Sequence, residues 1–229
     1  MELAGATLGW LADPAHWTGS DAVQARVLEH LALSGTALAV ALAIALPLGL
    51  ALGHTGRGAW LVINVANVGR ALPSLAILAL VLPLVFRLRL GLGFWPTVFM
   101  LVPLGAPMVL LNSFVAVREV DRDVVDVARA LGMRDWQVLR RVEVPLAAPV
   151  IVDGVRNAAV SIVATATLGA IVASGGLGRY IVDGLARLET PRLVAGAVLV
   201  ALLSVTTDAA FAGVARLVKP PAADTLKPI

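Results

Sequence analysis

Runs of mostly apolar residues recur along the chain at roughly Leu31 to Gly53, Trp60 to Phe86, Gly91 to Val117, Leu146 to Ser174 and Leu193 to Val218. A helix needs about 20 such residues to cross a hydrocarbon layer about 30 Å thick, so the pattern predicts about five membrane spans. Ahead of the first run, Ala22, Val23, Val27 and Leu31 form an apolar stripe beside polar Gln24, Arg26 and Glu29, and Asp21 stands at a capping position. That is the pattern of a short interfacial helix. The opening MELAGATLGW carries Glu2 and no basic region, so no cleaved secretory signal is expected.

Two polar interruptions carry structure of their own. Between Arg118 and Arg141 lie eleven charged side chains. Within this stretch Val124, Val127, Ala128 and Leu131 share one helical face and Arg122, Asp126 and Arg129 another. Asp123 is the expected cap and Gly132 the expected stop. A second short helix starts at Asp135 with Trp136, Leu139 and Val142 apolar, and Pro145 falls in the first turn of the fourth span, where proline is tolerated. After the fourth span, Gly175, Gly176 and Gly178 permit a tight reversal, followed by a short amphipathic helix bearing Tyr180, Ile181, Gly184 and Leu185. Pro73, with Ser74 behind it, should bend the second span, because it removes an amide donor. Pro47, Pro83, Pro103 and Pro107 lie in spans too, where proline is common.

Composition agrees with a lipid-facing exterior. The 229 residues are 59% hydrophobic and 14% charged, against about 25% charged for soluble domains. The net charge of +3 includes only two lysines, Lys219 and Lys227, and no basic run with interleaved aromatics, which argues against nucleic acid. The basic residues instead suggest topology. With the charged loop inside, Arg57, Arg118, Arg122, Arg129, Arg134, Arg140, Arg141, Arg216 and both lysines are cytoplasmic, leaving Arg26, Arg87, Arg89, Arg179, Arg187 and Arg192 outside. The N-terminus is then outside and the C-terminus cytoplasmic, with Trp60 and Trp95 at span ends. Cysteine is absent, so disulfides and thiolate metal sites are excluded. His16, His30 and His54 lack ligand spacing and read as ordinary polar residues.

The charged loop exposes an apolar face, and small Ala128 and Gly132 sit four residues apart, which suits close approach by another protein. In DVARALGMRDWQVLRRVEVP the positions Asp126, Val127, Ala128, Gly132, Val142, Val144 and Pro145 resemble the cytoplasmic signature of type I ATP-binding-cassette importer permeases: Glu-Ala-Ala, three residues, Gly, nine residues, Ile-x-Leu-Pro. Asp126 replaces the glutamate, Val127 the first alanine, and Val142 and Val144 the aliphatic pair. ADPAHWTG, LEHLALS, NVGRALPSLAIL, VEVPLAAPVIVDGVRNA and GGLGRYIVDGL are most similar to permeases for osmoprotectants such as glycine betaine, choline and proline betaine. The resemblance implies an all-α integral membrane fold with about five transmembrane helices and a cytoplasmic coupling-helix loop. An extracytoplasmic segment 1–30 would precede a permease domain 31–218, with the coupling loop at 118–145 and a cytoplasmic tail at 219–229. It implies that Asp126, Val127, Ala128, Arg129, Leu131, Gly132, Met133, Trp136, Val142, Val144 and Pro145 engage a separate ATPase subunit. A second permease copy or paralogue and an extracytoplasmic substrate-binding protein complete the expected partners. The chain has no GxxxxGK[ST] phosphate loop, so no cofactor is expected in it, and ATP and magnesium belong on the ATPase.

Arg70, Arg156 and Asp208 lie inside predicted spans, where each charge costs about 2.5–3.5 kcal/mol at mid-helix and faces protein or water. Each lies on the order of 15 Å from the cytoplasmic end of its helix, so all three can meet at one depth. Asp208 then either pairs with an arginine, or each charge snorkels separately. Asn157, Ser161 and Thr165 form one stripe along the fourth span. The stripe suits either a translocation path or helix-to-helix hydrogen bonds, and Asn112 and Ser113 share that ambiguity. The same architecture importing methionine or another amino acid is the nearest rival. A stand-alone secondary transporter would be expected to show a repeated helical unit, and none is evident. A membrane enzyme would need clustered acid, base or metal groups on one side, which the spacing does not supply.

Overall fold

The computed structural model describes residues 2–218. The expected tail 219–229, with Lys219 and Lys227, lies outside the described residues. Among those described, helices α1 (Glu2–Ala12), α2 (Val23–Thr55), α3 (Ala59–Ala71), α4 (Ser74–Arg87) and α5 (Phe94–Arg118) come first. The charged loop follows as α6 (Arg122–Ala130) and α7 (Asp135–Val138). It leads into α8 (Val144–Thr165), α9 (Gly178–Ala186) and α10 (Thr190–Val218). A π-turn (Leu139–Glu143) joins α7 to α8, and a 3-10 segment (Ala166–Val172) continues α8. Four helical stretches are long and apolar enough to cross a membrane, and α3 with α4 makes a fifth when counted as one bent span.

Three expectations about element boundaries change. The interfacial helix and first span are one 33-residue helix, α2, that runs unbroken through residues 30 and 31 and starts at Ala22 without a side-chain cap. Asp21 turns instead to Arg26, whose guanidinium donates to its carboxylate and, from the other nitrogen, to Glu29 at 2.7 Å. The opening residues form α1, which packs on α10. Its low amphipathicity hid it from periodicity, since Leu3, Leu8 and Trp10 share no sustained stripe. The cap of α6 is Asp121, accepting from the Asp123 amide at 2.9 Å, so the helix begins one residue before the expected cap at Asp123.

The predicted bend is a sharp break: α3 and α4 meet at 97°. Leu72 and Pro73 are both extended, with ψ 123° and 130°, as expected where a proline ring clashes with a helical predecessor. Arms of 13 and 14 residues are each about 20 Å long, too short to cross alone. The prolines at 47, 83, 103 and 107 stay inside continuous helices.

Helix α5 is the axis of the bundle, touching α2, α3, α4 and α8. Lipid tails are as apolar as leucine, so helix association relies on close packing rather than on removal from water. Small residues supply the fit. A Cβ at Gly49 would lie 2.7 Å from Ser113 Cβ and 2.8 Å from the Leu110 carbonyl oxygen, and one at Gly53 would lie 2.8 Å from the Phe114 carbonyl oxygen. These two glycines form a GxxxG pair on α2. From the other side, Gly154 of α8 meets Asn112. Farther along the same helices Leu33, Met100, Leu101, Val98 and Ile162 are buried in one cluster.

At the end opposite the charged loop, the Gly176 amide donates to Glu29 at 2.8 Å, and the Tyr180 hydroxyl donates to the Asp21 carbonyl at 2.5 Å. Burial pushes the Tyr180 phenol up, and the hydrogen bond from Arg26 holds the Asp21 carboxyl below its usual range. Because that folded value is depressed, the seam's contribution is complete above the ordinary carboxylate value and is lost as pH falls through the lowered one.

Gly53→Leu should push α2 off α5 and cost about 1–3 kcal/mol, read as a lower thermal midpoint in detergent. Gly35→Ala, where a new methyl meets open space, should leave the midpoint unchanged or raise it slightly. Equal midpoints for both variants would refute the packing argument.

Candidate functional site: the charged loop and a polar cavity

The loop is an angled pair of helical limbs fastened at three points. Val125 and Ala128 turn inward against Val117, Val138, Ala147 and Ile151. At the corner, the Gly132 amide donates to the Arg129 carbonyl at 2.9 Å, and the Met133 amide to the Ala128 carbonyl at 3.2 Å. This pairing closes a helix through a left-handed residue, and Gly132 has φ +86° with open space around it. Glycine is therefore required here by backbone conformation. Across the corner, Arg129 reaches Asp126 at 3.7 Å and Asp135 at 3.5 Å. The Arg134 amide donates to Gln137 Oε1 at 2.8 Å and starts the second limb.

The structure divides the expected apolar face. Val127, Leu131 and Trp136 are 60%, 80% and 66% exposed, and Val124 faces outward with them. Ala128 is buried in the subunit's own base, so it does not join Gly132 in a small-residue gap for a partner. Met133 and Val142 pack beneath the corner, Val144 is half-buried, and Pro145 occupies the first turn of α8.

Two residues that spacing could not connect fasten this base. In the π-turn the Val144 amide reaches back five residues to the Leu139 carbonyl. Glu143, almost wholly buried, lies there with Oε2 2.5 Å from His54 Nδ1 at the end of α2. Glu143 fills the unspecified position between Val142 and Val144, and His54 is 89 residues away, so neither stood out in the sequence. The contact ties the loop's exit to the first span.

A second feature lies between the spans. Arg70 of α3, Asn112 of α5, Asn157 and Ser161 of α8 and Asp208 of α10 line one cavity of about 470 Å³, together with Ala66, Pro107, Met108, Leu111 and Val160. Arg156 holds Asp208 in a fork, Nε to Oδ1 and Nη2 to Oδ2 both at 2.6 Å. Of the two arrangements open for Asp208, pairing is the one found. Arg70 donates from Nη2 to Asn67 Oδ1 at 3.1 Å and from Nε to the Ala66 carbonyl at 3.3 Å. Among the described residues it has no acidic partner within 4 Å. Asn112 Nδ2 donates to the Met108 carbonyl at 2.8 Å, leaving its oxygen toward other partners. Four of the expected path residues are not on the cavity wall: Arg156 touches it through Asp208, Pro73 and Ser74 form the α3–α4 break, and Thr165 lies at the end of α8. Ser113 faces α2, against Gly49.

A family described as the inner membrane component of binding-protein-dependent transport systems matches residues 32–220. The chain belongs to this family. It is a permease subunit of an ABC importer and a multi-pass inner-membrane protein, and its part in transport is translocation rather than catalysis. The glycine betaine/carnitine/choline transport system permease protein OpuCB of Bacillus subtilis is 34% identical over 88% of this chain and 90% of its own length. The choline permease OpuBB of the same organism is 33% identical over 88% and 91%. The carnitine permease OpuCD of Listeria monocytogenes is 38% identical over 69% and 70%. Among solved structures, an inward-facing form of the MetNI methionine ABC transporter matches at TM-score 0.75 and 24% identity. That match covers 84% of this permease and 94% of the MetNI chain, and it establishes the shared fold.

Two measurements probe these fastenings. His54→Leu should leave the buried Glu143 carboxyl without its hydrogen-bond partner, costing about 1–3 kcal/mol in detergent unfolding, whereas His54→Leu with Glu143→Leu should recover much of the loss. For the cavity pair, Arg156→Leu or Asp208→Leu alone should reduce the yield of folded permease more than both together. Additive losses would show that the two groups do not depend on one another.

Proposed function

We propose that this permease imports osmoprotectants of the glycine betaine, carnitine and choline type, with the solute passing between it and a second permease subunit. The observation that carries the reading is the similarity over nearly nine-tenths of the chain to OpuCB, whose name states those solutes. The MetNI likeness supports the architecture alone.

The charged loop, on the cytoplasmic side, is the coupling element. Val124, Val127, Leu131 and Trp136 offer an apolar surface to a groove on a partner ATPase, and Asp126 and Arg129 flank it. Gly132, the inward residues Ala128, Met133, Val142 and Val144, and Pro145 in the first turn of α8 keep that surface rigid on the bundle. ATP and magnesium reside on the ATPase. Closure of the two ATPases draws the loops together, and the rigid base passes that motion to α2 and α8, opening the path outward. Hydrolysis restores the inward-facing state. An extracytoplasmic binding protein delivers solute to the opposite face. The N-terminal segment lies on that face and the C-terminus in the cytoplasm. The cavity lined by Arg70, Asn112, Asn157, Ser161 and Asp208 is this subunit's share of the path, with Arg156 positioning Asp208. Thr165 continues the polar stripe outward, and Pro73 and Ser74 shape the break beside it.

Uptake of labelled glycine betaine, choline and methionine into proteoliposomes holding the whole importer tests the cargo. Betaine or choline should enter with ATP, and entry of methionine alone would overturn the reading. Leu131→Asp tests the coupling surface. It alters no internal packing, so the thermal midpoint should hold while co-purification of the ATPase falls about tenfold or more, equivalent to about 1.4 kcal/mol or more. Unchanged assembly and uptake would remove the loop from that role.

A further inference from the structure

We propose that Arg70 is a specificity-determining residue that receives the carboxylate of a zwitterionic solute in the cavity, making this permease favour carboxylate-bearing betaines over choline. The inference rests on the osmoprotectant reading above and adds which chemical class within it the path prefers.

Three observations carry it. The first is charge. The charged groups on the cavity wall are Arg70 and Asp208, and Asp208 is already satisfied at both oxygens by Arg156. Arg70 has no acidic partner within the described residues, and its hydrogen bonds go to neutral oxygens of Asn67 and Ala66 on its own helix. A charge kept inside a span without a counter-ion belongs beside a path or a ligand. The guanidinium is the side chain whose planar fork matches a carboxylate.

The second observation concerns what the cavity lacks. A quaternary ammonium group donates no hydrogen bond and is recognised by aromatic faces, yet the described wall of this cavity contains no Phe, Tyr or Trp. The trimethylammonium end therefore finds only Pro107, Met108, Leu111 and Val160 to lie against. The distinguishing handle is at the other end of the molecule. The third is the surrounding hydrogen-bonding capacity: Asn157 and Ser161 share the wall with Arg70 and can donate to the remaining carboxylate lone pairs. Choline has a hydroxyl in place of that carboxylate and meets the unneutralised guanidinium as a like charge.

The experiment measures ATP-driven uptake of glycine betaine and of choline by the complete importer, wild type against Arg70→Gln and Arg70→Lys. The binding protein is the same in all three, so a change in the betaine-to-choline uptake ratio reports on the permease. Arg70→Gln should lower that ratio about tenfold or more, and Arg70→Lys should fall between it and the wild type. A ratio that stays constant, whether both uptakes fall together or neither falls, would overturn the proposal and give Arg70 a structural role. A wild type that carries choline and excludes betaine would overturn it while leaving the osmoprotectant reading standing. A wild type that carries neither would defeat that reading itself, and this inference with it.

Discussion

The approach of α2 and α8 to α5 governs the rest of the molecule. In water a bundle this apolar would be held by expulsion of solvent, but among acyl chains that driving force is absent between helices. Backbone-to-backbone fit has to replace it. Gly49 and Gly53 let α2 reach carbonyl oxygens of α5, and Gly154 lets α8 reach Asn112. With those two helices seated, the polar groups of α5 and α8 face one space, and α3 and α10 complete its wall. The cavity is a consequence of where the small residues fall.

The same fit explains why the loop can act as a rigid extension. Its inner residues Val125, Ala128 and Val138 share a cluster with Val117, Ala147 and Ile151, which belong to α5 and α8. The His54 and Glu143 contact adds α2. All three helices that meet at the glycine contacts are thus also attached to the loop. A displacement of the loop cannot be absorbed by one helix alone, which is the property a lever between an ATPase and a solute path requires.

Much of this was legible in the residues, for physical reasons that also mark the limits. Span positions followed from apolar length, the loop from its density of charge and the Pro73 break from a missing amide donor; the cost of charge at depth marked Arg70, Arg156 and Asp208 but left pairing and separate snorkelling both open. What stayed hidden depended on distance or on direction. His54 looked isolated because its partner sits 89 residues away. Ala128 was grouped with Val124, Val127 and Leu131 because a short helix with apolar residues on several sides does not announce which side its own subunit covers. The charge on Asp21 drew attention as a cap, although Arg26 one turn on competes for the same carboxylate. The GxxxG pair on α2 was present in the sequence as a signal of helix approach, but the number of glycines in the chain masked it.

The five-residue turn at Leu139–Glu143 has a geometric consequence. A π-turn accommodates one residue more than an α-helical turn, and one residue corresponds to about 100° of rotation about the axis. The offset sets the azimuth of the loop relative to the cavity-lining face of α8. Shortening the chain there by a single residue would swing Leu131 and Trp136 round the helix axis while leaving every span intact, so subunits differing only by that residue would present the same surface in a different direction.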